Sequence, residues 1–414
     1  RPELTFQVIK DDGTNDNKKD EELTNLLRML NEKENIFQLN GKDTKAGLIF
    51  TRFVNNKTSG CYGLSNYLRN ELKVDVRWYS GSCPKTQKKP IMKEAEFNIY
   101  KDKVQTDFQN NEFPLLVATK AFGMGIDKSN VRYTVHHGIP ESVEALYQEG
   151  GRAGRDKNPA KCYILFSEEH LGENYFDQLF GLKSSVSDIK KSQEEINHQG
   201  RDAMDNMFLW LSNVKDIDEE CRDILAFYKM YAEAKSNPLT LGNKIKLSKQ
   251  ELERAIYKLS LIGIIDDWVI EDWNERNAKI RVYFKDFNDK LIEEELVKYI
   301  RKYDAEFDLQ KKKDDMEIEL EYYKIYSDKN LLLVEKAIKI LLIWQYENVA
   351  YHRRQSISTV YNQCKTNYNN SEALKQFMES YFKFSDESYI FDYLVENPRA
   401  YKYWFTTFFD SEGN

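Results

Sequence analysis

Over the first 175 or so residues, short apolar runs alternate with stretches whose apolar residues recur every three or four positions. Residues 47–51, 74–79, 115–118, 131–135 and 163–166 read as strands. Residues 61–72 read as a helix, with Leu64, Leu68 and Leu72 on one face, and residues 142–148 as another. A polar stretch leading to Asn111 has helical character. Strands that are apolar throughout, separated by amphipathic helices, predict a parallel sheet covered on both faces. An α/β domain is therefore expected over 1–175.

The pattern then changes. Residues 176–236 are charged and helical and read as a connector. In 237–288, Ser248-Lys249-Gln250-Glu251 has the form of a capping box, in which hydroxyl and carboxylate satisfy each other's orphan amides. Leu252, Ala255, Ile256 and Leu259 follow at helical spacing. Two strand-like segments, 268–270 and 279–284, then flank a polar turn at 274–277. A helix followed by a hairpin is the outline of a winged helix. Residues 289–414 read as a helical domain rich in Tyr and Lys. Its most apolar run, 331–349, is interrupted by Glu335, Lys336 and Lys339, which makes it a buried helix rather than a membrane span.

Composition narrows the function classes. The 414 residues are 41% hydrophobic and carry a formal net charge of −7, so packed cores are expected and a polybasic tail is not. The acidic balance argues against non-specific coating of nucleic acid, although a groove needs only a few well-placed cations. The five cysteines form no closely spaced pair. No zinc site or other metal site is expected, and a reducing compartment is. The five histidines show no ligand spacing, and His136 and His137 read as strand-end packing.

Two motifs carry chemistry. The first is Val117-Ala118-Thr119-Lys120-Ala121-Phe122-Gly123-Met124-Gly125-Ile126-Asp127, at a strand end. Gly123 and Gly125 allow close backbone approach to a ligand, Thr119 suits a nucleic-acid phosphate, and Asp127 can accept from a hydroxyl or water. A dinucleotide-binding fingerprint fails, because Lys128 stands where a third glycine is needed. Taken alone the segment also reads as a plain glycine turn. The second is Gln148-Glu149-Gly150-Gly151-Arg152-Ala153-Gly154-Arg155. Its two arginines are three residues apart among small neighbours, and planar guanidinium forks suit the charge on a transferring phosphoryl group. Alone, it reads equally as a solvated basic patch.

Together and in this order, the two motifs resemble motifs V and VI of superfamily-two helicases, RecQ-type DNA helicases in particular, almost continuously over 117–156. Residues 47–53 (GLIFTRF) resemble motif IV, and Arg1-Pro2-Glu3-Leu4 resembles the entry to the second RecA-like domain. Tyr79-Ser80-Gly81 resembles the family's Tyr-His-Ala/Ser-Gly turn without its His. The resemblance covers about 1–169, and it implies a RecA-like parallel-sheet domain, then a helical connector, a winged helix and an α-helical carboxy-terminal domain. It also implies residue roles. Arg155 would be the arginine finger and Arg152 its supporting cation; Gly125, Asp127, Gln148, Arg152 and Arg155 would face ATP. Thr119, Lys120 and Arg52 would lie along single-stranded DNA. ATP and Mg²⁺ would be held mainly by a first RecA-like domain, and single-stranded DNA and duplex junctions would be the partners. A protein partner would use the carboxy-terminal helices. A cytoplasmic, nucleoid-associated bacterial protein is expected.

Some features depart from the family pattern. No GxxxxGK[ST] loop or DExH box occurs between Arg1 and Asn414, so a first domain is expected to precede Arg1, and this polypeptide alone is expected to be inactive. The family's four-cysteine zinc module is absent. Segment 83–103 is long, which suggests an inserted helix, and Gly150 is small for its place. In the winged-helix segment, Lys249, Arg254 and Lys258 could face a phosphate backbone and Trp273 could stack on a base. The carboxylates crowding them equally suit a structural or docking role. Arg353-Arg354-Gln355-Ser356 reads as a helix-terminal charge pair ahead of a nucleic-acid contact. Rival readings are a non-catalytic binding lobe and an RNA helicase.

Overall fold

The computed structural model describes residues 2–11, 18–55, 60–123, 128–168, 173–181, 184–196, 201–212, 214–234, 236–241, 247–272, 279–309, 322 and 324–382. The chain divides into two compact units. The first comprises residues 1–169, 201–206 and 356–414, and the second comprises 170–200 and 207–355.

The first unit is built on a six-stranded, wholly parallel sheet. Its strands are β1 (Leu4–Lys10), β2 (Ala46–Phe50), β3 (Val76–Tyr79), β6 (Leu115–Ala118), β7 (Val131–His137) and β8 (Ala160–Phe166), in the order β1-β8-β7-β2-β6-β3. Every residue of β2 and β6 is buried, as expected of central strands covered on both faces. Helices α1 (Lys18–Glu34) and α2 (Cys61–Leu72) cover one layer, placing Leu23, Leu27, Leu64 and Leu68 against Ile49, Val117 and Val135. Strand β1 and helix α1 stand out less in the apolar pattern. The strand is an edge whose side chains alternate between buried and exposed.

Segment 83–103 differs from expectation. A short antiparallel hairpin, β4 (Lys85–Thr86) and β5 (Lys89–Pro90), precedes helix α3 (Glu94–Gln109). Pro84 and Pro90 bar a continuous helix, because proline lacks an amide donor and clashes with the preceding turn.

In the second unit, helices α8 (Ile217–Ala234), α9 (Lys249–Leu261), α10 (Asp289–Ile300) and α11 (Leu333–Gln345) share one apolar core with a three-stranded antiparallel sheet. The strands are β9 (Leu239–Leu241), β10 (Ile265–Asp272) and β11 (Lys279–Phe284), in the order β10-β11-β9. The Ser248 capping box at α9 is present, with Ser248 Oγ accepting from Glu251 N and Glu251 Oε2 from Ser248 N. The apolar run near 331–349 forms buried helix α11 and then a wider turn, Tyr346–Ala350. Among the described residues no helix is long and apolar enough to cross a membrane. Arg354 does not end a helix: it is fully buried within the helix Tyr351–Asn367, and its Nη1 donates to the carbonyls of Leu179 and Gly181 at 3.1 Å each.

Candidate nucleotide and nucleic-acid site

The first motif leaves the sheet at the carboxyl end of β6, the edge at which open α/β sheets hold ligands, and the helix of the second begins beyond the carboxyl end of β7, which β2 separates from β6 in the sheet. Strand β6 ends at Ala118. Thr119 follows, buried, its amide donating to Tyr79 O at 3.1 Å at the end of neighbouring β3. A tight turn, Lys120–Gly123, is closed by Phe122 N donating to Thr119 O at 3.0 Å. Lys120 is exposed and pairs with Glu141 at 3.0 Å. Gly125 and Asp127 lie outside the described residues.

The second motif follows β7. Ser142 caps helix α4 (Val143–Gly150), its Oγ accepting from Ala145 N at 3.1 Å. Gly150 ends the helix against the sheet, and its small size has a steric cause: a Cβ there would lie 3.0 Å from both Cys162 Sγ and a Phe6 ring carbon. Gly154 has φ +64°, and a Cβ there would sit 2.9 Å from Asn158 O. The loop thus needs glycine twice, once for packing and once for backbone conformation. Arg132 forks onto Asp156 just beyond, one bond being 3.0 Å, and fixes the loop's far end.

The arginines are presented differently. Gln148 and Arg155 are exposed. Arg152 is half-buried and lines a small cavity with Leu48, Phe108, Phe122, Lys128 and Val131. Burial, and then the neighbouring Arg155 charge, push its guanidinium below the usual range, while Glu149 offsets this. Two cations that oppose each other in this way favour an anion lying against both. Lys128, which lines the same cavity as Arg152, is buried, its ammonium 5.0 Å from the centre of the Phe108 ring, and burial pulls it down to about 8.

His136 and His137 pack at the end of β7 as the sequence suggested, but their carboxylate partners, and a third positioning group, were not read from it. His136 at the end of β7 stacks on Phe50, with ring centres 5.4 Å apart, and its Nε2 lies 2.9 Å from Glu149 Oε2. His137 Nε2 lies 2.7 Å from Asp20 Oδ1. The third, Asp202, claims a residue assigned to DNA. Arg52 is largely buried, donating to Asp202 O at 2.6 Å and Asp202 Oδ1 at 3.2 Å, so it braces the fold instead of standing open at the edge. Glu149 sits inside the motif and its neighbours hinted at a role. Asp202 lies 150 residues from Arg52, and no local pattern marks it.

The predicted DNA-facing cations of the second unit separate. Lys258 is turned inward, bonded to Gln345 and 4.0 Å from Glu220, and burial lowers its ammonium. It is therefore not displayed to a phosphate backbone. Arg254 is half-buried. The Lys249 side chain and Trp273 lie outside the described residues. Among the described residues no cluster of His, Cys, Asp and Glu could hold a metal ion.

Comparison with known proteins shows what the chain is similar to. The family "Helicase conserved C-terminal domain" matches residues 19–157. The chain is 36% identical over 138 residues to the ATP-dependent DNA helicase RecQ of Bacillus subtilis, covering 31% of this chain and 23% of that protein. It is 31% identical over 209 residues to the ATP-dependent DNA helicase Q1 of Mus musculus, covering 45% and 32%. It is 31% identical over 164 residues to the ATP-dependent DNA helicase hus2/rqh1 of Schizosaccharomyces pombe, covering 39% and 11%. The chain thus spans between about a tenth and a third of these relatives' lengths, and they come from both bacteria and eukaryotes.

Proposed function

We propose that the chain carries the carboxy-terminal RecA-like domain of a RecQ-type superfamily-two helicase and that it supplies the arginine-finger side of an ATP site and part of a single-strand DNA track, a reading supported by the helicase family match over 19–157 and the RecQ relatives. The observation that carries the reading is Arg155, exposed at the end of a loop whose two glycines are each sterically required. That loop runs at the amino edge of the sheet, where Gly154 N donates to Val131 O and Ala160 N to Glu3 O, whereas Thr119 follows the carboxyl end of β6.

In this reading the triphosphate and Mg²⁺ would be held by a first RecA-like lobe; the nucleotide would supply the transferable phosphoryl group and the metal would neutralise its charge. Arg155 approaches the γ-phosphate and Gln148 lines the same face. Arg152 adds positive potential from its half-buried position, and Thr119 meets a backbone phosphate of the strand. Gly125 and Asp127 would link the two. The second unit's α9–β10–β11 segment is read as a winged helix within 237–288, between a connector (176–236) and a helical domain (289–414) suited to a protein partner.

Arg155→Ala in the full-length protein tests the finger. DNA-stimulated ATP turnover should fall by ~10³-fold or more with nucleotide binding largely kept. Undiminished turnover would sink the assignment. A second reading, a non-catalytic DNA-binding lobe, is favoured by one observation, the lean of Arg152 into the domain interior. It predicts no turnover in the unaltered protein.

A further inference from the structure

The β4–β5 hairpin stands outside the motifs. Residues 83–93 contain four lysines, Lys85, Lys88, Lys89 and Lys93, and no carboxylate, in a chain whose net charge is −7. All four lysines are exposed, and among the described residues none forms an ion pair. Elsewhere in the same unit some exposed lysines are matched, Lys120 by Glu141, Lys161 by Glu34 and Lys365 by Glu168, and the unmatched ones such as Lys73 and Lys103 are scattered, whereas the hairpin gathers its four within eleven residues.

The hairpin is also held firmly. Its base is closed by Ile91 N donating to Pro84 O at 2.9 Å, and Lys85 N donates to Asn55 Oδ1 at 2.6 Å. Cys83, Ile91 and Met92 pack against the apolar core. The tip residues Gln87 and Lys88 have φ of +51° and +65°, the tight two-residue turn normally given to Asn-Gly. A lysine kept there, at a modest steric cost, places its ammonium at the outermost point.

Position supplies the partner. The hairpin follows the carboxyl end of β3 and is tied to Asn55 beyond the end of β2. It therefore leaves the sheet at the edge where Thr119 follows β6, itself bonded to Tyr79 of β3. Uncompensated cations on a rigid projection beside a strand-binding edge match the regular negative charge of a nucleic-acid backbone.

We propose that the Lys85–Lys88–Lys89 hairpin is a phosphate-backbone contact for single-stranded DNA, extending the track that begins at Thr119. The proposal rests on the DNA-binding reading above. The test is fluorescence anisotropy of a labelled oligo-dT with the full-length protein, titrated across NaCl concentrations. The lysine-to-alanine triple variant (Lys85, Lys88, Lys89) is compared with a Lys33→Ala, Lys42→Ala control at exposed positions ahead of β2, on the opposite edge. Each lost contact lowers the slope of log affinity against log salt by about 0.7, so the triple variant should lose about 2 and the control nothing. Melting temperatures should match the unaltered protein, since only exposed side chains change. An unchanged slope in the triple variant, with DNA still bound, overturns the hairpin contact alone. An equal loss in the control overturns it in favour of a general field effect. Failure of the unaltered protein to bind DNA overturns both this contact and the reading it rests on.

Discussion

Asp202→Ala removes the carboxylate on which the first unit's buried charges converge. Asp202 is fully buried and takes a hydrogen bond from Ser167 N at 3.0 Å, the Lys19 ammonium, and Arg52 Nη2 at 3.2 Å. Lys19 and Arg52 are themselves only 11% and 12% exposed, so the substitution strands two nearly buried cations. Breaking a buried pair in this way costs ~3–5 kcal/mol. Arg52 keeps the Asp202 carbonyl and a 3.8 Å approach to Asp205, which favours the lower end, about 3 kcal/mol. For a unit of this size that is a fall of roughly 6–12 °C in melting temperature. Circular dichroism would measure the fall, and hydrogen exchange across β2 would assign it. The pH dependence has a definite sign. The surrounding cations hold Asp202 below the usual carboxylate range despite its burial. Its contribution is thus complete above the unfolded value of about 3.9 and is lost as pH falls through the lower folded value. The gap between unaltered and variant protein should therefore close below about pH 4. A loss under about 1 kcal/mol, or a gap that widens on acidification, would refute the reasoning.

Other consequences follow from the same geometry. Gly154→Ala forces a Cβ onto a left-handed backbone 2.9 Å from Asn158 O; it should cost ~1–2 kcal/mol in urea denaturation and lower turnover by moving Arg155. Glu149→Gln weakens the contact to His136 and uncovers the Arg152 charge. Turnover should fall while the Michaelis constant for ATP changes little, with Glu149→Asp recovering part of it; equal effects on both constants would argue for a structural role alone. Glu251, bound by Lys215 and capping α9, is held at about 2, below its ordinary value. Its share of the second unit's stability is present above about pH 4.3 and is lost as pH falls toward 2; an NMR titration midpoint near 4.3 would contradict this.

Local periodicity and motif spacing were enough to read the parallel α/β domain, the buried helix α11, the Ser248 cap and the glycine–arginine loop. Each rests on contacts within a few residues or on a backbone preference that the residue types carry themselves. The same reasoning misread segment 83–103, because helical composition in 94–109 masked two prolines that cut the segment into hairpin and helix. The inward turn of Lys258 and the capture of Arg52 by Asp202 could not be read locally. A cation at the end of a strand looks alike whether it meets a phosphate or a carboxylate 150 residues away. Sheet order, the seating of His136 against Glu149, and the unequal exposure of Arg152 and Arg155 are likewise long-range outcomes. Chain-distant groups settle them by competing for one buried volume, where every charge must find its counterpart or stay in water.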